Sequence, residues 1–202
     1  MLDSKFVIFG AILNLIGSTT YVVATIRGNT KPNRISWFLW AVIPFIAFSA
    51  ELSLGVGLQS LMTFMVGFGP LMVFIASFVN RKSVWRLTAF DFICGGLSVL
   101  GLVLWLLTEQ GNIAIALSIV ADGLAAVPTL VKSYKAPGTE SSTVFLLGGV
   151  SAAITLTTID YWTFAHWGFP LYILIINGIF YGLIKFELGN KIRLNQSDIL
   201  PV

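Results

Sequence analysis

Three polar residues stand in stretches that otherwise hold almost nothing but apolar side chains: Asn14, Asp122 and Asn177. A carboxyl can carry a proton or accept hydrogen bonds, and a carboxamide both donates and accepts. Together they could hold a small polar molecule, with Asp122 as the candidate for proton coupling. An ionised carboxylate in hydrocarbon costs at least about 2.5–3.5 kcal/mol on insertion scales. It must therefore be paired, hydrated or protonated. No Lys, Arg or His falls at its depth in another apolar stretch, so a neutral or water-solvated carboxyl is expected. The competing role for each of the three is a helix–helix hydrogen bond, worth about 0.6–2 kcal/mol.

The elements that must position them are long apolar helices. Of 202 residues, 56% are hydrophobic and only 10% charged, against about 25% charged in a soluble domain. So few charges cannot form a water-facing shell, which excludes a soluble domain, a disordered chain and a nucleic-acid binder. The single cysteine, Cys94, excludes a disulfide framework and a thiolate metal cluster. Seven runs approach the roughly 20 residues a spanning helix needs: 6–26, 35–54, 58–79, 87–107, 113–131, 143–159 and 169–186. The reading is an all-α polytopic membrane protein with seven transmembrane helices; the alternating strands of a barrel are missing. At 1.5 Å per residue, Asn14, Asp122 and Asn177 each lie about 13–15 Å from the outer face, near the middle of the slab.

The basic residues give the orientation. Arg27, Lys31 and Arg34 lie between spans one and two; Arg81, Lys82 and Arg86 between three and four; Lys132 and Lys135 between five and six; Lys185, Lys191 and Arg193 after span seven. Only Lys5 is on the other side. Cytoplasmic loops collect Lys and Arg, so the N-terminus is expected outside and the C-terminus in the cytoplasm. The net charge of +3 is then topological rather than a sign of an acidic partner. All six Trp residues read as interfacial belt anchors: Trp37, Trp40 and Trp85 inside, Trp105, Trp162 and Trp167 outside. The first span is too long for a signal-peptide core and lacks a small-residue cleavage site, so it reads as a retained helix. The small size and short loops fit a bacterial inner membrane.

The chain also repeats itself. The segment TYVVATIRGNTKPNRISWFLW from Thr20 sets beside LAAVPTLVKSYKAPGTESSTVF from Leu124. Pro32 aligns with Pro137, an offset of 137 − 32 = 105, which also pairs Arg27 with Lys132 and Ser36 with Ser141. Spans one to three thus match spans five to seven, and span four is unpaired. The division is 1–80 for the first three-helix repeat, 81–110 for the linker helix, 111–188 for the second repeat and 189–202 for a cytoplasmic tail. With one span between them, both triplets enter the membrane from the same side. They are expected to be two parallel three-helix bundles, an arrangement that commonly encloses a midplane site.

The 3+1+3 layout, the outside N-terminus and the segment VPTLVKSYKAPGTES resemble the SWEET and PQ-loop transporter superfamily, over nearly the whole chain. Span seven adds IINGIFYGLIKF, similar to the family's Asn-Gly segment in the last helix. The family's Pro-Gln pair is here Pro128-Thr129 in copy two and Val23-Ala24 in copy one. Leu52 and Thr157 stand where plant members place the Trp residues of the sugar pocket. The resemblance implies alternating access around a midplane pocket, with Asn177 contacting substrate.

The remaining features are supporting ones. Pro44, Pro70 and Pro128 lie inside spans two, three and five. Each removes a donor and kinks its helix, which makes them packing kinks or hinges for gating. Gly67-Phe68-Gly69, Gly95-Gly96 and Gly148-Gly149 allow close helix approach. Asp91 is near the inner end of span four, with Arg86 and Lys82 as ion-pair partners. Glu51, Glu109, Asp160 and His166 are expected to be solvated at the outer face, and Glu140 to cap the start of span six. No metalloprotease, nucleophile-elbow, P-loop or dinucleotide motif is found, and no Lys stands mid-span for a retinal Schiff base. An enzyme, a cofactor and a metal are therefore not expected. The expected function is transport of a small polar solute, a sugar or an amino-acid-like metabolite, by uniport or with a proton. The rival is a heptahelical receptor or sensor of the same fold that binds without transport; an assembly scaffold is a third reading. Membrane lipid is the other partner, nucleic acid is not one, and a homo-oligomer stays open.

Overall fold

The computed structural model describes residues 2–80, 85–107 and 110–192. Among them the secondary structure is helical throughout, without strands. The helices are α1 (Phe6–Arg27), α2 (Arg34–Ser53), α3 (Ser60–Ala76), α4 (Ala89–Leu106), α5 (Gly111–Lys135), α6 (Ser142–Thr157) and α7 (Phe164–Lys185), with a 3₁₀ turn at Pro137–Thr139. Four of them, α1, α2, α5 and α7, are long and apolar enough to cross a membrane. Helices α3 and α6, and the described part of α4, are apolar but shorter. The expected spans match these helices to within a few residues, with one exception. Helix α7 begins at Phe164, five residues before the expected start, so Pro170 lies inside the helix. Arg81, Lys82, Glu109, Arg193, the side chain of Trp105 and the tail from 193 lie outside the described residues.

Local chemistry sets the helix ends. Gly28 ends α1 with φ of 84°, the left-handed conformation that only glycine adopts without cost, and its N–H reaches back to Ala24 and Thr25. Asn33 caps α2, accepting from the N–H groups of Ile35 and Ser36. The start of α4 is held by Asp91, whose carboxylate accepts from the backbone N–H and the hydroxyl of Thr88, both at 2.6 Å. Asn33 Nδ2 donates to the other oxygen of Asp91 at 2.5 Å, so one carboxylate ties the starts of α2 and α4 together. Among the described residues the partners of Asp91 are amide and hydroxyl donors and do not include Arg86, one of its two expected ion-pair partners; the other, Lys82, lies outside the described residues. An uncharged donor set suits a buried side chain because it adds no second charge to desolvate. Asn33→Ala is expected to lower stability by about 1–3 kcal/mol, since it removes a cap and strips a buried carboxylate oxygen. Thermal unfolding in detergent checks this, and an unchanged midpoint would contradict it.

Polarity is arranged inside out. Large apolar side chains such as Phe9 and Ile12 on α1 and Phe92 and Ile93 on α4 face outward. Asn14, Ser18, Asp122, Ser151 and Thr155 are buried. A lipid-facing surface and a polar interior fit a protein whose solvent is hydrocarbon. Within the bundle, α1 packs on α3 and α6, α2 on α3 and α5, α5 on α7, and α6 on α7. Helix α4 lies against α5 and α2. Two apolar clusters result. One is built around Tyr21, Trp37, Trp40, Phe145 and Phe180, the other around Val7, Met62, Ile115 and Phe169.

Candidate functional site

A cavity of about 70 Å³ accessible to water is lined from α1, α2, α3, α5, α6 and α7, and among the described residues from none of α4. That is room for a few water-sized groups. Asn14, Asp122 and Asn177 all line it, so the structure brings the three sequence-selected polar residues to one space. Pro70 of α3 lines it as well, whereas Pro44 and Pro128 are buried within α2 and α5 away from it.

The lining follows from helical spacing. Asn14 and Ser18 are one turn apart on α1, and the Ser18 hydroxyl donates to Asn14 Oδ1 at 3.4 Å. Asn177 spends Nδ2 on the Ile173 carbonyl one turn back, at 2.9 Å. A Cβ on Gly148 would stand 3.2 Å from Asn177 Oδ1, so the glycine of α6 makes room for the amide. Gly69 does the same on α3: a Cβ there would fall 2.2 Å from Ser18 Oγ. Gly69→Val is therefore expected to displace Ser18 and Asn14 and to cost about 1–3 kcal/mol. A melting temperature equal to wild type would contradict that packing.

Asp122 is 3% exposed. Its Oδ2 accepts from the Tyr172 hydroxyl at 2.7 Å, and its Oδ1 has no hydrogen-bond partner in the protein. The Trp40 indole N–H reaches the Asp122 backbone carbonyl at 3.4 Å, joining α2 to α5. No Lys, Arg or His lines the cavity.

Several lining residues were missed by the sequence reading. Trp37 and Trp40 are only 2% and 7% exposed and line the cavity; neither is a belt anchor. Trp40 meets Trp37 and Phe180 edge to face, at ring centroids 5.4 and 5.7 Å apart, and Phe145 stacks on Phe180 at 4.4 Å. The signal was present in the repeat, because Trp40 and Phe145 are equivalent at 145 − 40 = 105. Tyr172, which does not line the cavity but donates to Asp122 Oδ2, was also missed. Leu52 and Thr157, the positions aligned with the plant sugar-pocket Trp residues, are both exposed, away from the cavity.

A second polar cluster joins the two equivalent turns at the basic end. Lys132 Nζ forms an ion pair with Glu140 Oε1 at 2.5 Å, both side chains being almost wholly buried. It also donates to the Lys31 carbonyl and lies 5.1 Å from the centroid of the Trp85 ring. The Tyr21 hydroxyl donates to Glu140 Oε2 at 2.5 Å. The backbone N–H of Lys31 donates to Thr139, and Thr129 donates to Ser36. Glu140 is thus spent on Tyr21 and Lys132, which corrects its expected role as a helix cap: Ser141 takes the cap position, without a side-chain bond. Arg27, the repeat partner of Lys132, is exposed.

Glu51 corrects another expectation. It is 1% exposed rather than solvated, with Oε1 accepting from Thr63 at 2.9 Å and Oε2 unpartnered. Asp160 is exposed, and His166 is half-buried with its ring 2.7 Å from the Thr163 hydroxyl. No protein-family model, curated protein or solved structure matches the chain.

Proposed function

We infer that the chain is a seven-helix membrane transporter that moves a small polar solute by alternating access around this cavity. The observation that carries the reading is the cavity itself: an internal space drawn from six helices, mostly apolar in its lining but with Asn14, Asn177 and the deep carboxyl of Asp122 on its wall. The packing pattern supports it. Exchanging α1, α2, α3 with α5, α6, α7 turns the pair α1–α6 into α5–α2, α1–α3 into α5–α7 and α2–α3 into α6–α7, and every one of these pairs is in contact. That invariance is what two parallel three-helix bundles about a pseudo-twofold axis require, with α4 as the linker on the flank. It agrees with the resemblance to the SWEET and PQ-loop superfamily and with the basic end lying in the cytoplasm.

Two halves that rock must be held at one end by contacts that can open. The Lys132–Glu140–Tyr21 cluster has that character. A buried ion pair gains roughly what its two charges lose in hydration, so parting it into water costs far less than parting it in a dry core. In this reading the cytoplasmic end is closed, and opening it rehydrates both charges.

Reconstituted protein, offered sugars, amino acids and amines in counterflow, is expected to give saturable flux. Asn177→Ala is expected to lower that flux about tenfold by removing one polar contact of roughly 1–1.5 kcal/mol. Saturable binding with no flux of any bound solute would make the chain a receptor instead.

A further inference from the structure

We propose that the cavity takes a small monovalent organic ammonium ion, with Asp122 as its counter-charge and the rings of Trp37, Trp40, Phe145 and Phe180 as its wall. This rests on the cavity being the solute site, and it names the class of solute.

Charge comes first. Among the described residues Asp122 is the only ionisable side chain on the lining, and no basic group is part of it. Its Oδ2 already accepts from Tyr172, while Oδ1 has no partner. Beside a neutral guest the carboxyl stays uncharged only by holding a proton, whereas an ammonium ion brings the opposite charge that lets Asp122 ionise and a donor for the unpartnered Oδ1. A guest with a carboxylate of its own, such as an amino acid, would find no cation to receive it.

The walls make the second argument. Trp37 and Trp40 stand at 79° to each other and Trp40 and Phe180 at 88°, so differently turned aromatic rings border one small volume. Aromatic π systems attract cations, and quaternary ammonium groups are held in this way between rings, most strongly when desolvated. The same walls disfavour a sugar. A hexose carries a hydroxyl on nearly every carbon, while most of the lining is apolar and the groups left over on Asn14 and Asn177, each of which already makes one hydrogen bond inside the protein, are too few to meet them all. A divalent metal ion needs six or more oxygens, roughly, around it, and the lining offers too few.

Equilibrium binding to the full-length protein in lipid nanodiscs tests the proposal, with tetramethylammonium, choline, the neutral tert-butyl analogue of choline, and glucose as probes. Choline is expected to bind at least about tenfold more tightly than its neutral twin, and Asp122→Asn to erase that preference. Trp40→Leu is expected to weaken both cations several-fold. Equal or tighter binding of the neutral twin or of glucose would overturn the proposal on wild-type protein alone, as would a preference that survives Asp122→Asn. Flux of the same probes into proteoliposomes separates the two readings. Cations that bind but never cross leave this inference standing and defeat the transport reading. Sugars that cross while cations neither bind nor cross do the reverse.

Discussion

Asp122→Asn is expected to lower saturable uptake by about thirtyfold or more while the protein still folds. The change is isosteric, so helix packing and the Tyr172 contact at 2.7 Å can persist with the amide oxygen as acceptor. What is lost is the charge and one acceptor facing the solute. Removing one member of a buried charged contact costs about 2–5 kcal/mol, which is a factor of about thirty to several thousand. Uptake and thermal unfolding measured on the same preparation check this. A wild-type rate would remove Asp122 from the solute path, and the site assignment would fail with it. Tyr172→Phe is a milder companion, because it strips a donor and leaves the carboxylate in place.

Lys132→Met is expected to cost about 3–5 kcal/mol of stability, because Glu140 would be left buried without its cation. Lys132→Met combined with Glu140→Leu should recover most of that loss, since a buried ion pair and a well-packed apolar pair are often close in energy. The double substitution should nonetheless impair uptake. An apolar seal has no charges to rehydrate, and so resists opening. Stability that falls with the single change and returns with the pair, alongside uptake that does not return, is the expected pattern. If the single variant unfolds at the wild-type temperature, the cluster at the basic end does not hold the two turns together.

The helices were legible because hydrocarbon demands long apolar runs, and counting along them placed Asn14, Asp122 and Asn177 at similar levels; what the structure shows is that all three line one cavity. What could not be counted was direction around each helix. Trp37 and Trp40 stand near an interface in sequence, and their burial against the cavity depends on which face of α2 meets α5 and α7. Tyr172 was hidden for a different reason. The expected span began at residue 169, only three positions before Tyr172, whereas α7 begins at Phe164 and sets the Tyr172 hydroxyl against Asp122. The partners that the structure gives the buried acidic residues could not be read from the sequence because they are remote. Asp91 meets Asn33 across 58 positions and Glu140 meets Tyr21 across 119. Glu51 is the opposite case: its partner Thr63 is only 12 residues away, but on the next helix and facing inward. Periodicity places a residue on a helix; it does not say what stands across from it.

The account turns on a wet cavity reached in turn from both faces of the membrane, and single-cysteine labelling tests that most directly. Cys94 is buried on α4 and can be replaced by Ser to give a blank background. Ile176 lines the cavity, while Ile179, one turn on, is 46% exposed on the outer surface of the bundle. With a membrane-impermeant thiol reagent applied to either side of sealed vesicles, Ile176→Cys is expected to react from both faces and Ile179→Cys from neither. An Ile176→Cys that reacts from one face only, or from none, would contradict alternating access to this site.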